Sequence, residues 1–257
     1  MLTFFIFDVG GVFRDSSLAI NEGFKRGFNS CGFSYNFKAD DVWHLRGIGK
    51  YNNSYEAIKA LLAISKTGLN LNSIVNKDEP EKFLDELIRK TISKKELEIS
   101  EKVRKGYKEF FNSPEANKLI RIYPWVKEAI DLLHKKFRLA IFTNTSLKTV
   151  ARDLPGTDLK KFSLILSEKD VEKKKPSGEG ITKIIKKLNI PLKETVYVGD
   201  SVVDILAARD VYCKAVAVTC GMGLKKHLEK EKPDFIFGNI LEMAKYFLRT
   251  VQATEHN

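Results

Sequence analysis

From Tyr123 onward the chain alternates short, wholly apolar runs with longer amphipathic stretches. The apolar runs are Leu139–Phe142, Leu164–Leu166, Thr195–Val198, Ala215–Val218 and a short Phe235–Phe237. Helical stretches at Val126–Lys135, Gly180–Leu188 and Val203–Arg209 separate them. Strands that are apolar without alternation are covered on both faces, and strands joined by helices of this length build βαβ units. A further run, Thr3–Phe7, stops at Asp8 and Gly10-Gly11 and reads as a first buried strand. Between about Leu18 and Lys118 the period is helical instead. Tyr55, Ile58, Leu61 and Leu62 share one face, Phe83, Leu84, Leu87 and Ile88 another, and Pro80 marks a helix start. The expected fold is therefore α/β: a doubly wound parallel sheet of Rossmann-like type, with an inserted α-helical domain. Residues 1–15 and 119–257 form the core, and 16–118 the insert.

Composition excludes several other readings. At 257 residues and 43% hydrophobic content the chain can bury one large core beside its insert. No apolar run approaches the ~20 residues of a membrane helix. Met1–Asp8 has neither a basic segment before it nor a small-residue cleavage site after it, so a strand is expected rather than a secretory leader. Cys31, Cys213 and Cys220 are odd in number and lack metal-ligand spacing, which points to a soluble, cytoplasmic protein without a disulfide framework. The net charge of +11 suits anionic partners. The charges are interleaved along helices, however, and there is no zinc finger, RNA-stacking motif or basic arm. Nucleic acid is not the expected partner. His44, His134, His227 and His256 lack a paired acid, and the tail Gln252–Asn257 reads as frayed.

Ligands of an open parallel sheet bind at the carboxyl ends of its strands. Polar clusters fall there or in the segment that follows: Asp8, Thr143-Asn144, Lys175-Pro176, and Gly199-Asp200 with Asp204 a turn later. Singly, each has a plain structural reading as a turn, a helix N-cap or a solvated lysine. Together their chemistry agrees. Asp200 and Asp204 are four residues apart at a helix start, and with Asp8 they gather three carboxylates. Such a cluster needs a lysine or a divalent cation, and all-oxygen ligands favour Mg²⁺. A phosphate would fit beside that metal, held by Thr143, backbone N–H groups and Lys175. One carboxylate could then attack phosphorus.

Phe7-Asp-Val-Gly-Gly-Val-Phe-Arg-Asp-Ser16, Phe142-Thr-Asn144, Lys175-Pro-Ser177 and Val198-Gly-Asp-Ser-Val-Val-Asp204 resemble the four motifs of the haloacid dehalogenase superfamily. The phosphoglycolate-phosphatase-like branch is the closest in appearance, and Tyr123-Pro-Trp-Val126 resembles its return from helical cap to core. The resemblance implies strand order 5-4-1-2-3 and a phosphatase acting on a small phosphorylated metabolite. It makes Asp8 nucleophile and metal ligand, and has Thr143 and Asn144 bind the phosphoryl group. Lys175 neutralises nucleophile and phosphate. Asp8, the Gly10 carbonyl, Asp200 and Asp204 hold Mg²⁺ or its waters.

One position departs from that pattern. Phosphatases of the superfamily carry a second Asp two residues after the nucleophile, as general acid-base; here it is Gly10. Asp15 is a weak substitute. A dehalogenase or a phosphonatase would need no acid there, but Asp200 and Asp204 weigh against the former, and the latter needs an imine-forming lysine, for which Lys50 is the positional candidate. A non-catalytic binder of phosphorylated ligands is the reading from another class. Substrate choice is expected in the segment Arg46–Glu56, with Arg46, Lys50, Asn52 and Asn53 as candidates; its plain reading is a helix entry capped by Asn53 or Ser54.

Overall fold

The computed structural model of the protein describes residues 2–154 and 156–255. The chain separates into two compact units. One comprises the residues up to Asp15, Arg121–Gly221 and those from Leu228 on; the other comprises Ser16–Ile120 and Met222–His227.

The first unit is built on β1 (Phe4–Phe7), β2 (Arg14–Asp15), β3 (Arg121–Ile122), β4 (Arg138–Phe142), β5 (Phe162–Leu166), β6 (Thr195–Gly199), β7 (Lys214–Val218) and β8 (Phe235–Phe237). Six of these form a parallel sheet in the order β5-β4-β1-β6-β7-β8. Counting parallel strands alone, this contains the order 5-4-1-2-3, with β8 added beside β7. The order reverses at β1, which pairs with β4 on one side and β6 on the other.

The absence of alternation in the strands follows from burial on both faces. Phe5 and Phe7 pack with Leu139, Ile141, Val196, Val198, Val216 and Val218 on one face. Phe4 and Ile6 pack with Ala140, Phe142, Tyr197, Ala215 and Ala217 on the other. Helices Val126–His134 and Ile240–Glu255 cover the first face, and Glu179–Leu188 and Val202–Asp210 the second. Every residue of β1 is fully buried. Each aromatic or aliphatic side chain so placed contributes about 1.5–3 kcal/mol of transfer free energy. The C-terminal helix continues to Glu255, so the expected fraying from Gln252 does not begin there; His256 and Asn257 lie outside the described residues.

The chain leaves this unit at β2 and returns at β3, and the two pair antiparallel, Arg14 opposite Ile122. The second unit is helical, with helices at Ser17–Ser30, Ala39–Arg46, Ser54–Thr67, Leu71–Val75, Pro80–Thr91, Lys94–Phe111 and Pro114–Asn117. Their starts follow local chemistry: the side chains of Asn53, Asn70 and Ser113 each accept a bond from a first-turn N–H, and Pro80 and Pro114 sit at the first helical positions. Ile58, Leu61, Leu62 and Leu84 are buried in its core, whereas Tyr55 is only partly buried, with Lys59 4.8 Å from its ring centre. Residues Met222–His227 group with this helical unit. His44 Nδ1 lies 3.0 Å from the Met222 carbonyl oxygen, and His227 Nε2 lies 3.0 Å from that of Lys77.

Candidate active site

Asp8 follows the central strand, and its N–H donates to the Val198 carbonyl at 2.9 Å, tying it to the seam between β1 and β6. Asp200 follows Gly199 at the end of β6, and Asp204 lies in the first turn of the helix that comes next. Asp8, Asp200 and Asp204 are all buried, and one carboxylate oxygen from each lies within 4.8 Å of the others. Lys175 joins them: its Nζ is 2.8 Å from Asp8 Oδ1 and donates to Asp204 Oδ1 at 2.6 Å. Of the three consecutive lysines, Lys173 and Lys174 are exposed, and Lys174 pairs with Glu168 at 2.5 Å.

The electrostatics follow from this crowding. Burial pushes the Asp8 carboxyl above its ordinary range, against the pull of the Lys175 charge. Burial works to lower Lys175, but the carboxylates of Asp204 and Asp8 outweigh it and hold the ammonium well above its ordinary value. Asp204 is engaged through both oxygens. Its Oδ2 accepts from Ser201 Oγ at 2.5 Å, Ser201 N at 3.1 Å and Asp200 N at 3.3 Å, while Oδ1 faces Lys175 and, at 3.4 Å, the Tyr197 hydroxyl. Ser201 and Asp204 form the capping box of their helix, so the plain N-cap reading and membership of the cluster hold together.

Backbone is brought unusually close to Asp200. Gly11 has φ +73°, and a β-carbon there would sit 1.9 Å from Asp200 Oδ2; one at Gly221 would sit 2.1 Å from it. The two glycines leave room for this carboxylate and nothing more, which fits a carboxylate held in a fixed orientation. The gathered carboxylates of Asp8, Asp200 and Asp204 are hard oxygen donors that suit a small divalent cation.

The remaining candidates separate into groups. Thr143 is buried after β4, with its Oγ1 3.2 Å from Thr145 Oγ1. The Asn144 side chain is directed to the backbone of Lys175: Oδ1 accepts its N–H at 3.1 Å and Nδ2 donates to its carbonyl at 3.4 Å. These two bonds tie Asn144 to the backbone of Lys175. Gly10 has open space around it, with nothing within 4 Å of an added β-carbon. Asp15 lies on β2 in register with Arg121.

The four candidates in the helical unit are tied into local structure. Asn53 Oδ1 caps helix Ser54–Thr67, accepting from Tyr55 N at 2.8 Å, and Asn52 Nδ2 donates to the Arg46 carbonyl at 3.2 Å. Arg46 Nε donates to the Asn52 carbonyl at 2.9 Å, and Lys50 pairs with Asp85 at 2.7 Å. Tyr197 was not singled out from the sequence. Its buried hydroxyl donates to the Phe142 carbonyl at 2.9 Å, and Lys175 Nζ lies 5.6 Å from its ring centre. A tyrosine amid valines on a strand buried on both faces was the available signal, since a buried hydroxyl needs a partner.

Comparison with known proteins agrees with this architecture. A phosphoglycolate phosphatase of Vibrio parahaemolyticus is 28% identical over 151 residues, covering 57% of this chain and 66% of that protein. The pyrophosphatase PpaX of Bacillus mycoides is 28% identical over 163 residues, covering 63% and 75%. The chain therefore spans about two thirds of the length of such relatives. Among solved structures, a Lactobacillus delbrueckii subsp. bulgaricus protein superposes with TM-score 0.74 at 22% identity, covering 95% of this chain and 97% of its own. A Pseudomonas syringae hydrolase does so with TM-score 0.65 at 21% identity, covering 96% and 98%. The sequence model of the haloacid dehalogenase-like hydrolases matches residues 5–218. With that match running from β1 to the last residue of β7, the chain belongs to the haloacid dehalogenase-like hydrolase family.

Proposed function

We propose that the chain is a Mg²⁺-dependent phosphohydrolase that cleaves a small phosphorylated metabolite through an aspartyl-phosphate on Asp8. The observation that carries this reading is the buried Asp8 carboxylate, 2.8 Å from the Lys175 ammonium at the end of the central strand, with Asp200 and Asp204 beside it. Asp8 attacks phosphorus with a carboxylate oxygen. Lys175 offsets charge on Asp8 and on the incoming phosphate, and Asn144 fixes its backbone for that purpose. Thr143 offers a hydroxyl to a phosphoryl oxygen. Asp8, Asp200 and Asp204, with the Gly10 carbonyl, are the proposed holders of Mg²⁺, which when bound supplies positive charge against the phosphoryl oxygens. Asp204 acts mainly by orientation, because its oxygens are already engaged by Ser201, Tyr197 and Lys175. The names of the phosphoglycolate phosphatase and pyrophosphatase relatives support a small phosphorylated substrate. The ion pair of Lys50 with Asp85 lends nothing to a phosphonatase-like reading. The open space at Gly10 is what favours the second reading, a non-catalytic phosphate-ligand binder.

Acetyl phosphate with Mg²⁺ separates the two. The expected result is phosphate release, with an acid-quenched phosphoryl adduct on Asp8 that is absent from Asp8→Asn. Binding of inorganic phosphate without either adduct or release would establish the binder instead.

A further inference from the structure

Among the described residues of the sheet unit, the side chains gathered at the strand ends include a nucleophile and charge-neutralising groups, and none is placed as a proton donor to a leaving group. The titratable side chains that meet there among the described residues of the sheet unit include Asp8, Lys175, Asp200, Asp204 and Tyr197, whose hydroxyl donates to the Phe142 carbonyl at 2.9 Å. Each is already committed. Asp8 is the attacking carboxylate. Lys175 Nζ is held between two carboxylates, 2.8 Å from Asp8 and 2.6 Å from Asp204. Both oxygens of Asp204 already accept hydrogen bonds, from Lys175 and from Ser201. Asp200 is fully buried, and the close approach of Gly11 and Gly221 restricts access to its Oδ2. Nor does a neighbour fill the space beside Gly10: two residues after the nucleophile, nothing lies within 4 Å of where a β-carbon would be.

Resting on the phosphohydrolase reading above, we infer that this chain acts on phosphates whose leaving group departs as a stable anion, acyl phosphates and phosphoanhydrides, in preference to alkyl phosphate esters. In the first step an Asp8 carboxylate oxygen forms the new bond to phosphorus as the bond to the leaving oxygen breaks. The electron pair stays on that oxygen, which leaves as a carboxylate or phosphate and takes no proton. In the second step water attacks the aspartyl-phosphate, the bond to Asp8 breaks and its electron pair restores the carboxylate. Both protons of that water leave with the product, as dihydrogen phosphate. An alkyl ester would have to expel an alkoxide, and without a general acid that step is slower by roughly 10²–10⁴-fold.

The test is a leaving-group series on the full chain with Mg²⁺: acetyl phosphate, 4-nitrophenyl phosphate, phenyl phosphate and glycerol phosphate, read as kcat/KM for release of the leaving group. The expected result is a steep decline along the series, with glycerol phosphate at least about 10²-fold below acetyl phosphate. Gly10→Asp is expected to raise the glycerol phosphate rate far more than the acetyl phosphate rate, and Gly10→Asn, of similar size but without a transferable acidic proton, is not. A shallow series in the unmodified chain that still depends on Asp8 overturns the inference, because a proton donor is then reaching the leaving group, while the phosphohydrolase reading stands. Absence of any Asp8-dependent release, acetyl phosphate included, overturns both.

Discussion

At Lys175 one ammonium stands against two carboxylates in a setting that solvent barely reaches, its side chain 3% exposed. Removing one partner of such a group leaves the others buried and unbalanced, at a cost of about 3–5 kcal/mol. Lys175→Met should lower the unfolding free energy from urea denaturation by that amount in chelated buffer and abolish phosphate release. The pH dependence has a definite sign. Because the folded state holds Lys175 above its ordinary value of 10.5, its contribution is fully present below that value and is lost as pH rises through the higher folded one. Stability of the unmodified protein should therefore fall in strong alkali more steeply than that of Lys175→Met, as followed by urea midpoints. These roles were legible in the sequence only in part. The residue types were clear because each polar cluster interrupts or follows an apolar strand. Lys175 was singled out from Lys173 and Lys174 by the proline that follows it, whereas the direction of Asn144 to the lysine backbone depended on how the segment after β5 folds back.

Single elements show why some boundaries were readable and others not. β1, β4, β6 and β7 announced themselves because a strand covered on both faces can carry no polar alternation. Phe7 stands at the meeting of Phe5, Phe13 and Phe162, with ring centres 6.3, 5.3 and 6.5 Å away. Phe7→Ala should therefore cost about 3–5 kcal/mol in chemical denaturation. β2 and β3, two residues each, carry no pattern of their own and exist only because they pair. In the helical unit, Glu96 ties helix Lys94–Phe111 to its surroundings: Lys66 Nζ donates to Oε1 at 2.8 Å and Ser93 N donates to Oε2 at 2.9 Å. The bond from Lys66, then those from Ser93, lower its carboxyl from 4.5 to about 2. A lowered acid contributes stability above its unfolded value and loses it as pH falls through the folded one. Acidification from pH 4.5 towards 2 should thus weaken the unmodified protein more than Glu96→Gln, as read from urea midpoints across that range.

For the whole molecule, the gathering of three buried carboxylates predicts that Mg²⁺ stabilises the fold by binding it. Tm should rise with Mg²⁺, reaching the equivalent of about 2.7 kcal/mol when the ion is at a hundred times its Kd. Chelation should reverse the rise, and Asp200→Asn should blunt it. Among the described residues no helix is long and apolar enough to cross a membrane. The sequence by itself determined the fold class, since uniform apolar strands alternating with helices admit little besides a doubly wound sheet. It also located the polar groups at the strand ends, because chain reversals after buried strands must carry them. Only the tertiary structure decided which of those groups touch. Asp8, Lys175 and Asp204 are separated by long stretches of chain and meet because parallel pairing places β6 beside β1. The grouping of Met222–His227 with the helical unit was equally beyond the sequence, since it rests on packing between segments far apart in the chain, where His44 meets the Met222 carbonyl and His227 that of Lys77.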